Sequence, residues 1–170
     1  NPVTLRQMRA AEENGFVRIR LHPQQKLERS WTETEECAET LRHWLALAHT
    51  GRCLLDVNDP DGCEDTAHYA EAHGLTVEDL RVGISGNLAI LVKRLLDGGL
   101  NATLLCTGGD TLLAVMREVN VTELTPVGEV AAGAVLTAFC YGNQTYHMVS
   151  KSGGFGEPEL FVELAGRLGA

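Results

Sequence analysis

Short apolar runs of strand length alternate with amphipathic stretches of helix length along most of this chain, and no other feature limits its fold as strongly. Residues 16–21 alternate apolar and charged and read as a strand. Residues 53–57 and 102–106 are compact apolar runs, and the second is of the kind that sits centrally in a parallel sheet. Between them, Cys37, Leu41, Trp44, Leu45 and Ala48 form one helical stripe, and Leu80, Ile84, Leu88, Leu91, Val92 and Leu95 form a longer one. This alternation predicts an α/β fold with a three-layer, mostly parallel sheet and helices on both faces. Past residue 119 the pattern changes. Residues 135–141 and 144–150 are β-rich around Gly142-Asn143, which predicts an added antiparallel hairpin. A helix over 157–168, with Pro158 in its first turn, closes the chain. The 170 residues suffice for one domain with a proper core.

Several helix ends are marked in the sequence. Thr32 with Glu35, and Thr76 with Asp79, have capping-box spacing and predict helix starts there. Gly83 and Gly86 weaken the long helix, so either they allow close packing or the helix breaks near Ser85. A first helix is expected over residues 5–13. The chain runs into it with no leader or linker, so a piece of a longer protein is expected.

Composition removes several functions. The net charge is -9, which repels a phosphate backbone and argues against nucleic-acid binding. Aromatic residues make up 5% of the chain, too few for a base-stacking surface. The five cysteines, Cys37, Cys53, Cys63, Cys106 and Cys140, show no C-x-x-C spacing and read as reduced thiols of a cytoplasmic protein. No apolar run reaches transmembrane length, so no membrane association is expected. Asp56, Asn58 and Asp61 lack the spacing of a calcium loop. His68 and His73 are five residues apart, do not share a helix face, and read as solvated. Ser85 and His147 belong to no nucleophile constellation, so no catalytic residue is assigned.

Two glycine-rich turns carry the chemistry. Residues 106–111 read Cys-Thr-Gly-Gly-Asp-Thr between an apolar run and a helical pattern. In parallel sheets, ligands bind where such turns leave the strand ends. Glycine lets a ligand approach the backbone, and the next N–H groups open a helix that attracts anions. Gly108, Gly109, Asp110 and Thr111 are therefore candidate phosphate contacts. The Asp110 carboxylate would repel phosphate unless a bridging Mg²⁺ sits between them. The plain alternative is a turn in which Asp110 or Thr111 caps the helix. Residues 151–156 read Lys-Ser-Gly-Gly-Phe-Gly, with Lys151 able to neutralise phosphate and Gly153 and Gly154 able to admit it. Neither turn is a P-loop or a dinucleotide fingerprint. The alternative is a loop shaped by packing, with Lys151 solvated. Glu129, between the two turns, either orients a ligand or pairs with a lysine.

These motifs occur in an order that resembles the C-terminal nucleotide-binding domain of the four-carbon acid sugar kinases, the 3-oxo-tetronate, threonate and erythronate kinases. Pro2-Val3-Thr4 and Gly15-Phe16, the Thr107 to Thr111 turn, Gly128-Glu129 with Gly133, and the Lys151 to Gly156 turn match in sequence over nearly the whole chain. The resemblance implies ATP on the two glycine turns, Mg²⁺, and an N-terminal domain holding a four-carbon sugar acid. It implies that the isolated chain is inactive as a kinase. In that family a serine-containing segment just before Pro-Val-Thr also contributes to the nucleotide site. Other readings remain open: a stand-alone nucleotide- or sugar-phosphate-binding module, or a structural domain whose glycine turns only pack. The sequence does not fix the oligomeric state, and a homo-oligomer stays open.

Overall fold

The computed structural model describes residues 1–169 and turns the alternation into helices and strands in the expected order. Helix α1 (Pro2–Glu13) leads into β1 (Val17–Arg20). Helix α2 (Pro23–Leu27), a short 3-10 turn and α3 (Glu35–Thr50) lead to β2 (Cys53–Asp56). Helices α4 (Asp65–Ala72) and α5 (Val77–Asp97) lead to β3 (Leu104–Thr107), and α6 (Gly109–Glu118) follows it. Strands β4 (Thr125–Ala131), β5 (Ala134–Tyr141) and β6 (Gln144–Lys151) come next, and α7 (Leu160–Arg167) ends the series.

The strands form two sheets. β1 and β2 pair in parallel, Val17 opposite Cys53 and Arg20 opposite Asp56. The second sheet runs β3-β6-β5-β4, with β3 parallel to β6 and the other pairs antiparallel. Side chains alternate between faces, as the pleat requires. Leu104, Cys106, Tyr146 and Met148 pack with Trp44 of α3, Leu91 and Leu95 of α5 and Val115 of α6. Leu105 and Val149 turn the other way, toward Leu160 and Leu164 of α7. Leu54 and Leu105 also meet Met8 and Ala11 of α1. Helices α3, α5 and α6 therefore cover one face, and α1 and α7 the other, in three layers. A fully enclosed side chain such as Leu91, 0% exposed, contributes about 1.5–3 kcal/mol to this core.

Local chemistry explains where the element ends fall. The cap of α3 is Thr34, whose Oγ1 accepts from the Cys37 N–H; Thr32 instead lies buried in the 3-10 turn, its hydroxyl donating to the Arg29 carbonyl. Both threonines stand before an acidic stretch, and Thr34 wins because its extended backbone places the hydroxyl over N3. Thr76 and Asp79 form the expected reciprocal box. Helix α5 does not break at its glycines. Gly83 faces Leu27 of α2, where a Cβ would lie 3.4 Å from the leucine methyl, so it serves close helix packing. Strand β4 contains Pro126 and Gly128, which hide it in the sequence; both are tolerated because β4 is an edge with bulges. No helix among the described residues is long and apolar enough to cross a membrane.

Candidate functional site

Strand β3 delivers its last residue, Thr107, directly opposite Lys151, the last residue of β6. Both glycine turns therefore leave the same end of one parallel pair. The Gly108 N–H donates to the Lys151 carbonyl at 3.1 Å, which ties the two turns together through the backbone. Gly108 has φ 93° and ψ 138°, a conformation essentially reserved for glycine. A Cβ on Gly108 or Gly109 would meet nothing within 4 Å, so the space over this turn is open.

Helix α6 starts at Gly109 with no side chain capping it. Helices α1, α3 and α5 are capped by Asn1, Thr34 and Thr76. An uncapped start leaves backbone N–H groups directed outward and favours an anion there. Asp110, in the first turn, does not cap the helix. Its carboxylate is engaged by Arg81 of α5 at 2.7 Å, and Arg81 also grips Glu78. Those bonds raise the Arg81 guanidinium pKa, while Arg81 holds the exposed Glu78 carboxyl below its ordinary value. Thr111 is half-buried and, with Thr107, lines a large cavity.

Lys151 is 3% exposed rather than solvated. Its Nζ donates to the carbonyls of Ser152 at 2.9 Å and Gly153 at 3.3 Å. Among the described residues no carboxylate pairs with it, and burial pushes its pKa below the ordinary lysine value. A cation held out of water by neutral carbonyls alone is incompletely compensated.

The second turn is anchored from α1. Thr4 Oγ1 donates to the Gly153 carbonyl at 3.1 Å, and the buried Gln7 Nε2 donates to the carbonyls of Phe155 and Glu157, both at 3.0 Å. Gln7 Oε1 is buried without a partner. Gly154 is open to solvent, and a Cβ on Gly153 would touch only the Asn1 amide at 3.5 Å. Gly156 differs, because a Cβ there would overlap Leu160. Gln7 is a supporting residue that the sequence did not reveal, and Thr4, matched there only as part of the Pro2-Val3-Thr4 motif, gains its contact from the fold. A polar residue in a short amphipathic helix looks solvated, and only the fold brings a partner some 150 positions away.

The remaining candidates lie elsewhere. Glu129 stands exposed on the edge strand β4, and Gly133 packs under the Phe155 ring, where a Cβ would lie 3.2 Å away. Asp56 is buried against Arg18 at 2.8 Å, and Asp59 bonds the buried Lys26 at 2.6 Å. Partial burial would raise the Asp59 carboxyl, but the bonds from Lys26 and Thr66 outweigh it and hold it below the usual range. His68 and His73 are exposed, and His73 stacks on Tyr69.

Known structures share this fold. A domain of unknown function (DUF1537) from Bordetella bronchiseptica, seen with bound citrate as a domain-swapped dimer, is 20% identical with a TM-score of 0.65. It is matched over 97% of this chain and 36% of its own. The Haemophilus influenzae protein HI1011, also of the DUF1537 family, is 21% identical with a TM-score of 0.71, over 96% of this chain and 37% of its own. The chain thus spans just over a third of the length of these relatives. No curated protein matches it. The family model for the nucleotide-binding C-terminal domain matches residues 1–161, both glycine turns included. The chain belongs to that family of nucleotide-binding C-terminal domains, as its resemblance to the four-carbon acid sugar kinases implies.

Proposed function

We propose that this single domain binds the phosphates of ATP, as the C-terminal part of a cytoplasmic kinase that phosphorylates a four-carbon sugar acid held by an N-terminal domain. One observation carries the phosphate reading: a buried lysine without a carboxylate partner, Lys151, lies beside an uncapped helix start whose glycines face open space. Gly108 turns the chain so that the Gly109, Asp110 and Thr111 backbone offers its N–H groups to phosphate oxygens, Gly153 and Gly154 admit the ligand closely, and Lys151 compensates charge. The kinase, its substrate class and its N-terminal partner rest on the resemblance and on the greater length of the relatives. In such an enzyme, phosphoryl transfer is achieved by positioning and charge neutralisation, and this chain supplies the positioning of the nucleotide. A homo-oligomeric state is proposed on the precedent of the Bordetella domain-swapped dimer.

Mg²⁺ fits this donor set in one way. It is commonly held by one or two carboxylates together with phosphate oxygens and water, so a lone Asp110 suffices when ATP is present. Asp110, paired with Arg81 in the free domain, would be the carboxylate that holds the metal beside the phosphates.

The test is calorimetric titration with ATP and Mg²⁺, beside Gly109→Glu. A Cβ at Gly109 meets no atom within 4 Å and Gly109 has no positive φ, so the substitution places a carboxylate at the helix start without backbone strain, and circular dichroism checks that the variant is folded. Saturable binding by the wild type, weakened at least about tenfold in the variant, is the expected result, equivalent to about 1.4 kcal/mol. Equal binding by both proteins removes the α6 start from the site.

A further inference from the structure

The two sheets leave a slot between them. β2 pairs only with β1, and β3 only with β6, so among the described residues each keeps one ladder edge unused. All four residues of β2 and all four of β3 line one cavity of about 640 Å³. The cavity does not lie over one face of the sheet. Leu54 and Leu105, which point to α1 and α7, line it, and so do Leu55 and Cys106, which point to the opposite layer. Its walls include Met8 and Phe161 from one helix layer and Trp44, Leu88 and Val92 from the other. It passes through the plane of the sheet, with a helix layer above and below.

The volume is of the order of a short missing strand. A strand occupies about 4.8 Å across the ladder, about 10 Å between flanking layers and about 3.3 Å per residue along its axis, so four residues fill roughly 630 Å³. A slot bounded on both sides by unused backbone donors and acceptors, and lined by apolar side chains, suits an apolar β-strand better than water or a small ligand.

Topology fixes the direction and the source. The chain passes from β1 to β2 through α3 and from β2 to β3 through α5, moving one way along the sheet with both helices on one face. Helix α1 lies on the other face and leads to β1, at the far side of β2. A strand in the slot followed by α1 and then β1 moves the opposite way on the opposite face, so its crossover has the same hand as the others. The start of α1 also lies at the correct end. Thr4 lines the cavity together with Asp56 and Thr107, the last residues of β2 and β3, and it bonds Gly153 just beyond β6.

We propose that the slot between β2 and β3 is the seat of a further parallel β-strand, formed by polypeptide leading into Asn1, which joins the two sheets into one. With that strand in place, connections leave in opposite directions on opposite faces at the boundary with β3, which makes the crevice beside the Gly108 turn the switch point of a doubly wound sheet. The strand's end arrives beside Gly153. Its seating does not depend on whether the Gly108 turn binds phosphate, so the two readings fail separately.

The test compares the 170-residue chain with a longer natural polypeptide that carries the residues preceding Asn1. In the longer chain, amide exchange in β2 and β3 is expected to slow at least about tenfold, independently of protein concentration. Alkylation of Cys53 and Cys106, which line the slot, slows with it, while Cys140, exposed on β5, is unchanged. A proline at the centre of the added segment removes a ladder donor and returns both readings to the short-chain values, with helical circular dichroism retained. Unchanged exchange and alkylation in the longer chain would overturn the proposal. So would protection that grows with protein concentration, which would seat a second copy in the slot, or a natural polypeptide that starts at Asn1.

Discussion

Both glycine turns carry a Gly-Gly pair after a hydroxyl residue and leave the same end of the same strand pair, yet their glycines are required for different reasons. At the first turn the reason is the backbone itself. Gly108 sits at φ 93° with nothing near the position of a Cβ. At the second turn the reason is crowding, because Gly156, at φ 92°, presses against Leu160 and Gln7. Between these extremes, Gly109, Gly153 and Gly154 have neither positive φ nor a close neighbour. On the proposed reading, the glycines of these two turns that neither strain nor packing explains are the ones that face the nucleotide. The comparison thus divides one compositional signal into scaffold positions and candidate contact positions.

The largest expected effect is at Gly156→Ala. The new Cβ combines backbone strain of about 1–2 kcal/mol with overpacking of about 1–3 kcal/mol, for a loss of about 3 kcal/mol in denaturant unfolding. It also displaces Gln7, whose amide secures the Phe155 and Glu157 carbonyls. Gly108→Ala meets no atom and carries only the strain, about 2 kcal/mol. If Gly108→Ala proves the more destabilising of the two, the division between strain and crowding is wrong.

How much of this was legible follows from the range of the interactions. Strand and helix alternation, the Thr76 and Asp79 cap and the position of both turns depend on neighbours a few residues apart, and sequence carries that information. That Lys151 is buried does not show locally, because it depends on β3, β6 and α1 converging. The Arg81 grip on Asp110 spans 29 positions and is set by how α5 packs on α6. The edge strand β4 was hidden by its own Pro126 and Gly128. The slot has no signature in the residues that line it, since Leu54 and Leu105 read as ordinary buried leucines.

A smaller effect on stability, with a sharp one on binding, is expected at Lys151→Met. Burial lowers the Lys151 pKa, so its charge costs stability at neutral pH. That cost is fully present below the depressed folded value and fades as pH rises toward the unfolded lysine value of about 10.4. Methionine removes the charge and gives up bonds to two carbonyls that water can reach, so unfolding stability stays within about 1 kcal/mol of wild type at pH 7. Wild type should then gain on the variant as pH rises through the lysine range. ATP binding by the wild type should weaken over the same range, because deprotonation removes the cation. A variant that loses several kcal/mol with no change in ATP affinity would make Lys151 a structural lysine.

The smallest effect on stability is expected at Asp110→Asn, and it separates two roles for one carboxylate. The pair with Arg81 is exposed on both sides, 52% and 61%, so its loss leaves the midpoint of unfolding unchanged within error. Binding is where the roles diverge. If Asp110 serves only Arg81, the neutral amide removes a negative charge from the helix start, and ATP binds slightly better whether or not Mg²⁺ is present. If Asp110 takes a metal in the complex, ATP affinity falls in Mg²⁺ and is preserved or improved in a chelator. The difference between the two titrations therefore reads the metal role directly. It also sharpens the division between the turns, because a metal contact at Asp110 would make the α6 start the catalytic end of the nucleotide and the Gly153 turn the end that holds it.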